Sequence, residues 1–540
     1  MIYINRDNKV FTNSYESKNG IVTGTAFIGY RSLYGEDLLN YVSSWETAEE
    51  WKQGLLDLNG FYAIIIIKNN KVFAAVDRIR SLPLFYGLHE GNLFISNDAR
   101  WVREQVGDKE IDSLAKEEFL LTGFVVGSDT LFPSVKQIQA GEVVFFGKNE
   151  TGDFKIDPHR YYRYLHSNYY EESEKELQRM FDDVLQNVFQ RLISYAHGRT
   201  IVVPLSGGYD SRLIVLMLKR LGYEKVIAFS YGRPGNHEAE VSKQVAESLG
   251  VRWEFVEYSN ELWREWYEAP EMKEYFNMAG NLASLPHIQD WPAVWVLQKE
   301  GRIPPNSIFV PGHSADLPAG SRSKSVPDIY KGPVSRERLI GAIIGYHYSL
   351  FDWSKKKRAL FPFFEKKILE VLGDLDQYPD QSSAFESWDI SERQPKFIVN
   401  SLRVYEFFGY EWWIPFWDKE FMDYWCRISP EKRLNQSLYV SYVNDLANKR
   451  GLEISEHTSK TEILKKWMKA CVKRILPTEV KKWVKKEMEK RYFLEHPMAW
   501  YGVHRDDFVR AKITEGATII NSLLVTDYLD GISKSNIEKD

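Results

Sequence analysis

The stretch that most restricts the fold of this chain runs from residue 200 to residue 258, where apolar runs alternate with helical stripes. The pattern predicts a strand over 200–205, a helix over 211–221, a strand over 225–231, a helix over 237–249 and a strand over 252–258. Strands that are apolar along their whole length are covered on both faces, and a β-α-β-α-β order implies a parallel sheet. Ligands bind such sheets where a strand ends and a helix begins. The first junction of this kind reads "PLSGGYDSR", residues 204–212.

Gly207 and Gly208 predict a backbone free to take positive φ and to approach a ligand closely. The hydroxyls of Ser206 and Ser211, successive backbone N–H groups and a helix N-terminus then converge on one place, which suits an anion, most often a phosphate. Asp210 would repel a bare phosphate, so it implies a bridging Mg²⁺. The turn is not a Walker loop, because no Lys stands in it. A Gly-Gly turn can also be a mere connection with Ser or Asp as a helix cap. The complete Ser-Gly-Gly-x-Asp-Ser string between a strand and a helix favours nucleotide binding.

Around this segment the chain is organised in two parts. At 540 residues it is too long for one ordinary core. Residues 1 to about 150 are β-rich: "GFYAIIIIKNNKVFAAVD" is a hairpin about residues 68–71, and "GNLFISND" and "GEVVFFG" are further strands. Between them "IDSLAKEEFLLTG" has helical spacing and a Gly stop. The polar, Tyr-rich stretch 151–170 is expected to be a connection. "EKELQRMFDDVLQNVFQRLISYA" is a long amphipathic helix, residues beyond about 330 are mostly helical, and 464–491 is rich in Lys. The expected domains are 1–160 and 161–540. Five tryptophans, Trp253, Trp263, Trp266, Trp291 and Trp295, either wall an acceptor pocket or, as aromatic clusters more often do, form core.

A net charge of −5 gives no global basic field, so nucleic acid is not an expected partner. The longest apolar run, 62–67, is far short of a membrane span. The two cysteines, Cys426 and Cys471, exclude a disulfide scaffold and a four-thiolate metal site. With no signal peptide visible in "MIYINRDNKV", a cytoplasmic protein is expected; a homodimer is compatible with the sequence, which leaves the oligomeric state open.

The turn resembles the pyrophosphate loop (PP-loop) of the N-type ATP pyrophosphatases, and nearly the whole chain is similar to the asparagine synthetase family with its β-lactam synthetase and peptide-cyclase relatives. "LNGFYAIII", "VDRIRSLPLFYG", "GNLFISNDARWV" and "TLFPSVKQIQAGE" resemble that family's glutaminase domain in order and spacing. "VPGHSADLPAGS" resembles its Gly-x-Gly-x-Asp segment, and "YEWWIPFWDKEFMDYWCRISPE" its Glu-x-x-x-Pro-Phe-x-Asp block. The resemblance implies an N-terminal Ntn-hydrolase-like sandwich of the class II glutamine amidotransferase type and a C-terminal PP-loop α/β domain with helical additions. It implies ATP and Mg²⁺ as cofactors, with Leu205, Ser206, Gly207, Gly208, Asp210, Ser211, Phe229, Ser230 and Gly312 around the nucleotide and Asp210 and Asp316 holding the metal. Glu411, His313 and, among several lysines after a Leu-Pro, Lys485 are the implied catalytic residues.

Two departures shape the expected function. The family's glutaminase nucleophile is an N-terminal Cys, whereas Met1 is followed here by Ile2 and no Cys precedes Cys426. The sandwich is therefore expected not to hydrolyse glutamine. His313 stands where the family carries Glu or Tyr, and an imidazole with an ordinary pKa of about 6.5 can serve as a base. Arg212, in the first helical turn, is placed to reach a phosphate or a carboxylate, or to pair outward. The expectation is an ATP-dependent carbon–nitrogen ligase that adenylates a small-molecule or peptide carboxylate and joins it to ammonia or an amine. The alternatives are intramolecular amide formation of the β-lactam synthetase type, a PP-loop enzyme that modifies tRNA, and a catalytically silent scaffold.

Overall fold

The computed structural model describes residues 1–5, 14–452, 496–517 and 519–537. Its N-terminal part is built on the hairpin read from the sequence. Strands Asn59–Lys68 and Lys71–Val76 pair antiparallel, closed by Asn69 and Asn70 at φ 52° and 59°. Two consecutive positive φ values make a type I′ turn, whose twist matches that of the strands, and Asn tolerates it. Successive side chains of Asn59–Lys68 point to opposite faces, and both faces are buried. Tyr62, Ile64 and Ile66 pack with Leu38, Val42, Trp51 and Leu55 of helices Gly35–Ser43 and Ala48–Asp57. Phe61, Ala63 and Ile65 face the other way, into the main core. This two-sided burial explains why the strand reads as an unbroken apolar run.

The hairpin is the middle of a seven-stranded antiparallel sheet. Strand Phe154–Arg160 extends one edge, pairing with Glu142–Lys148. The stretch expected to be a connection thus contains a strand; as an edge strand it is only half-buried and accommodates Pro158, which has no N–H to give a ladder. A second sheet of four short strands runs in the order Ile2–Asn5, Asn92–Ser96, Phe85–His89, Lys136–Gln137. Helix Ala99–Val106 lies on it, buries Ala99, Val102 and Val106, and ends at Gly107 in the left-handed conformation. Helices, sheet, sheet and helices form the four-layer sandwich expected from the sequence.

Helix Glu174–Ala196, capped by Ser173, leads into the second part. Five parallel strands lie in the order Arg252–Glu257, Val226–Gly232, Ile201–Pro204, Ile308–Phe309, Glu411–Trp412. The chain first moves outward from Ile201–Pro204 in one direction, then returns to add Ile308–Phe309 on its other side. Ile201–Pro204 is therefore the point where strand order reverses, and the crevice beyond its carboxyl end is where such sheets hold ligands. Of the tryptophan cluster, Trp263, Trp266 and Trp291 are core, while Trp253 and Trp295 are only partly buried against it.

The two parts share one core. Segment 123–131 of the sandwich exchanges backbone hydrogen bonds with 282–285 of the second part: Val125 N–H donates to Ala283 O (3.0 Å), Leu131 N–H to Leu282 O (2.9 Å) and Leu285 N–H to Gly123 O (2.7 Å). The fully buried pair Glu392 and Lys396 (2.6 Å) reaches across as well. Lys396 Nζ donates to the carbonyls of Val125 (3.0 Å) and Gly127 (2.6 Å), and Gly127 N–H donates to Glu392 Oε2 (2.9 Å). Among the described residues no helix is long and apolar enough to cross a membrane.

Candidate active site

Two loops from adjacent strands meet at the strand-order reversal. The first follows Ile201–Pro204 and enters helix Tyr209–Arg220; Gly208 is its N-cap, and no side chain caps it. The loop is held by its own hydroxyls: Ser206 N–H donates to Ser211 Oγ (3.1 Å), the two hydroxyls lie 3.2 Å apart, and Gly208 N–H donates to Ser206 Oγ (3.2 Å). Neither Gly207 nor Gly208 has positive φ. The expectation for these glycines is corrected: what they provide is an uncovered backbone, since a Cβ on Gly208 would sit 3.3 Å from Ser206 Oγ and one on Gly207 would meet only ordinary contacts. Arg212 turns back, donating to Gly207 O (3.0 Å) over the Tyr209 ring, so it braces the loop from behind.

The second loop, 310–316, comes from the neighbouring strand. Gly312 lies directly on the first loop: a Cβ there would be 2.7 Å from Ser211 N and 3.1 Å from the Asp210 carbonyl carbon. This is the position where the sequence must have glycine. Ser314 takes φ 71°, a strained choice for a residue with a side chain, and its hydroxyl donates to Gln394 Oε1 (2.7 Å). Asp316 N–H donates to Asp210 Oδ2 (3.2 Å), and Tyr439 O–H donates to Asp210 Oδ1 (2.8 Å). Burial, and secondarily the charge of Asp316, raises the Asp210 carboxyl well above the usual carboxylate range. Two like-charged carboxyls at the mouth of a phosphate-type loop are the donor set a hard divalent cation takes, with substrate oxygens and water completing it. Among the described residues there is no cluster of three or more His, Cys, Asp or Glu that would hold a metal without such help.

The other implied residues are distributed unevenly. Ser230 is buried, with a hydroxyl that has no hydrogen-bond partner among the described residues. Leu205 and Phe229 are core side chains joined through their backbones, Leu205 N–H to Phe229 O (2.8 Å), so any contact they make with a nucleotide is through main chain. His313 Nε2 lies 2.6 Å from Ser401 Oγ. Burial lowers the imidazole pKa to about 4, Asp290 opposing and His287 reinforcing the shift, so the ring is neutral at pH 7 and keeps a basic lone pair.

Glu411 is not brought to this crevice. It pairs level with Ile308, which pairs level with Ile201, so it lies at the amino end of the sheet. Five residues of parallel strand, about 16 Å, separate that level from Ser206. There Glu411 accepts from Tyr195 O–H (2.7 Å) and ion-pairs with Arg199 (2.9 Å), a structural role. Its expected part as proton acceptor is therefore corrected. Lys485 lies outside the described residues. Tyr439, Gln394 and Ser401, which hold Asp210 and the second loop, were not singled out from sequence; each comes from a helical segment remote in the chain and carries no motif.

A sandwich of amidotransferase type joined to a parallel sheet with a phosphate-type loop defines a narrow class of proteins. Residues 42–162 match the glutamine amidotransferase domain and residues 187–285 match asparagine synthase. The two domains, in this order, are consistent with an asparagine synthetase-family protein. No curated protein matches the chain. Similar solved structures include a glutamine phosphoribosylpyrophosphate amidotransferase from B. subtilis (14% identity, 45% of this chain and 72% of that one, TM-score 0.19). An NH₃-dependent NAD synthetase from Campylobacter jejuni is 15% identical over 38% of this chain and 90% of that one, TM-score 0.19. A glutamine-dependent NAD⁺ synthetase from Cytophaga hutchinsonii is 10% identical over 72% and 84%, TM-score 0.20. Scores this low place no constraint on the fold.

Proposed function

We propose that this protein is an ATP-dependent carbon–nitrogen ligase that adenylates a substrate carboxylate, releases pyrophosphate, and transfers the acyl group to ammonia or an amine. The asparagine synthase match supports ATP-dependent amidation. The observation that carries the finer reading is the junction of the two loops, where Gly312 lets the second loop rest on Ser211 and sets Asp316 beside Asp210.

In this reading the backbone N–H groups after Ser206 and the uncapped first turn of helix Tyr209–Arg220 hold the pyrophosphate end of ATP. Asp210 and Asp316 would hold Mg²⁺, which when bound offsets the phosphate charge and favours attack at the α-phosphorus. The substrate carboxylate forms a bond to that phosphorus as the bond to pyrophosphate breaks. The amine then attacks the acyl carbon and AMP leaves, while the neutral His313 ring, oriented by Ser401, accepts the amine proton. Tyr439 fixes the rotamer of Asp210 throughout.

The nitrogen enters without glutamine hydrolysis by the chain's own sandwich. One observation supports this: the chain's cysteines are at 426 and 471, and Cys426 lies in the second part.

The test is exchange of labelled pyrophosphate into ATP with Mg²⁺ and a panel of carboxylic acids. Acid-dependent exchange that is lost in Asp210→Ala is expected. No exchange with any acid, together with no ATP binding, would sink the ligase reading. Glutaminase activity above background would overturn the reading of the sandwich.

A further inference from the structure

One stretch of surface reverses the charge of the rest of the chain. The protein carries a net charge of −5, yet residues 354–366, "SKKKRALFPFFEK", hold five cations against one acid. They form a turn and the first part of helix Lys357–Leu372, which buries Phe364, Ile368, Val371 and Leu372. Residues 355–359, Pro362, Phe363 and Lys366 are exposed instead. Phe363, at 54%, is the one exposed phenylalanine among the described residues. The turn is firmly seated: Trp353 Nε1 donates to Tyr348 O (3.1 Å), and its ring meets Phe364 edge-on (5.6 Å between centroids).

These residues do little for the fold that carries them. Lys357 and Arg358 lie in the first helical turn, where the aligned peptide dipoles present their positive end and disfavour cations. Lys356, ahead of them, gives the helix no side-chain cap, at a position where Ser, Asp or Asn is preferred. Pro362 lies within the helix and removes one of its hydrogen bonds. Lys356 pairs with Glu117 (2.6 Å), Lys366 pairs loosely with Glu370 (3.7 Å), and Lys355 feels the charge of Asp352. Lys357 and Arg358 form no ion pair with any described residue. Two unpaired cations set against a helix dipole, close in the chain to an exposed phenyl ring, call for a partner that is both anionic and apolar.

We propose that this face docks on the surface of a bilayer that carries anionic lipids. Headgroup charge offsets both the cations and the positive end of the helix, while Phe363 enters the boundary between headgroups and acyl chains. The long stems of Lys357 and Arg358 let their charged ends stay among the headgroups around the ring. An acidic polypeptide or a nucleic-acid backbone offers the charge without an apolar layer to receive the phenyl group. The contact is peripheral, since no described helix is long and apolar enough to span a membrane. It goes beyond the ligase reading and does not depend on it.

The test is co-sedimentation of the full chain with vesicles of phosphatidylcholine alone and of an equal mixture with phosphatidylglycerol. Binding to the mixed vesicles only is expected, weakening as salt rises. Lys357→Gln together with Arg358→Gln should weaken it about 30-fold, the scale of two cations near an anionic surface. Phe363→Ser should weaken it about 5- to 10-fold, by a factor that salt does not change. The thermal midpoint of the double variant should equal or exceed the parent's, because two cations leave the positive end of the helix. Equal binding to both kinds of vesicle, no binding to either, or full binding by the double variant overturns the inference. A lowered midpoint would assign the two cations to the fold and overturns it as well. Binding of polyglutamate or RNA with none of mixed vesicles would give the patch to an acidic chain instead. Pyrophosphate exchange should be the same in these variants as in the parent, so failure here leaves the ligase reading as it stands.

Discussion

Gly312→Ala is the sharpest test of how the two loops meet. The backbone of Gly312 is outside the left-handed region, so alanine meets no torsional penalty and the effect is steric alone. The added Cβ would lie 2.7 Å from Ser211 N, where ordinary contact begins near 3.4 Å, a deficit of 0.7 Å. All three nearest atoms are backbone of Asp210 and Ser211, which cannot swing aside as a side chain does. Overpacking of this kind costs about 1–3 kcal/mol. If the loops separate to relieve it, the 3.2 Å bond from Asp316 N–H to Asp210 is lost, about 1 kcal/mol more. Expressed in binding, 1–3 kcal/mol weakens MgATP by about 5- to 150-fold. Calorimetry with MgATP and urea unfolding measure the two shares. Gly341→Ala is the control: it is an exposed glycine within helix Arg336–His347 with open space around it, so alanine should stabilise by up to about 1 kcal/mol and leave nucleotide binding alone. A Gly312→Ala protein that binds MgATP and resists urea as the parent does would refute the close approach.

Three further outcomes are expected. Asp210→Asn should abolish pyrophosphate exchange yet stabilise the nucleotide-free chain; because the folded carboxyl titrates above its unfolded value, the parent loses stability relative to this variant as pH rises beyond about 4, and parallel urea midpoints from pH 4 to 8 measure it. His313 should make the acid limb of the rate profile fall near pH 4 and not 6.5. As its folded pKa is depressed, its contribution to stability is present above about 6.5 and lost as pH falls through 4; His313→Gln should remove both features. Glu411→Gln should leave exchange within about two-fold of the parent while lowering stability by about 1–2 kcal/mol, because its partners Arg199 and Tyr195 lie at the far end of the sheet; a loss of exchange without loss of stability would restore it to the site.

What was legible in the sequence was whatever local periodicity and turn chemistry determine. The Asn69–Asn70 hairpin, the Gly123 stop after helix Ser113–Thr122 and the alternation from 200 to 258 need only neighbours in the chain. The strand Phe154–Arg160 was missed because an edge strand shows half-burial and tolerates Pro158, so its composition is that of a loop. Glu411 was misplaced for a different reason. A motif fixes which residues are adjacent in sequence, but the level of a two-residue strand within a sheet is set by pairing, and pairing put that carboxylate at the amino end. Ser401, Gln394 and Tyr439 are single polar residues in helical segments, with no spacing to distinguish them from capping or surface positions.

The backbone seam between 123–131 and 282–285 has a consequence for what the molecule can lose. Those N–H and C=O groups are shared between the halves like the rungs of a ladder, and Lys396 and Glu392 close the seam with a buried charge pair. Excising residues 1–160 would leave carbonyls at 282–283 without donors and a lysine–glutamate pair without two of its anchors. The two halves are therefore one inheritance: selection that keeps the crevice of the second part must keep the neighbouring fold, whatever chemistry that neighbour retains.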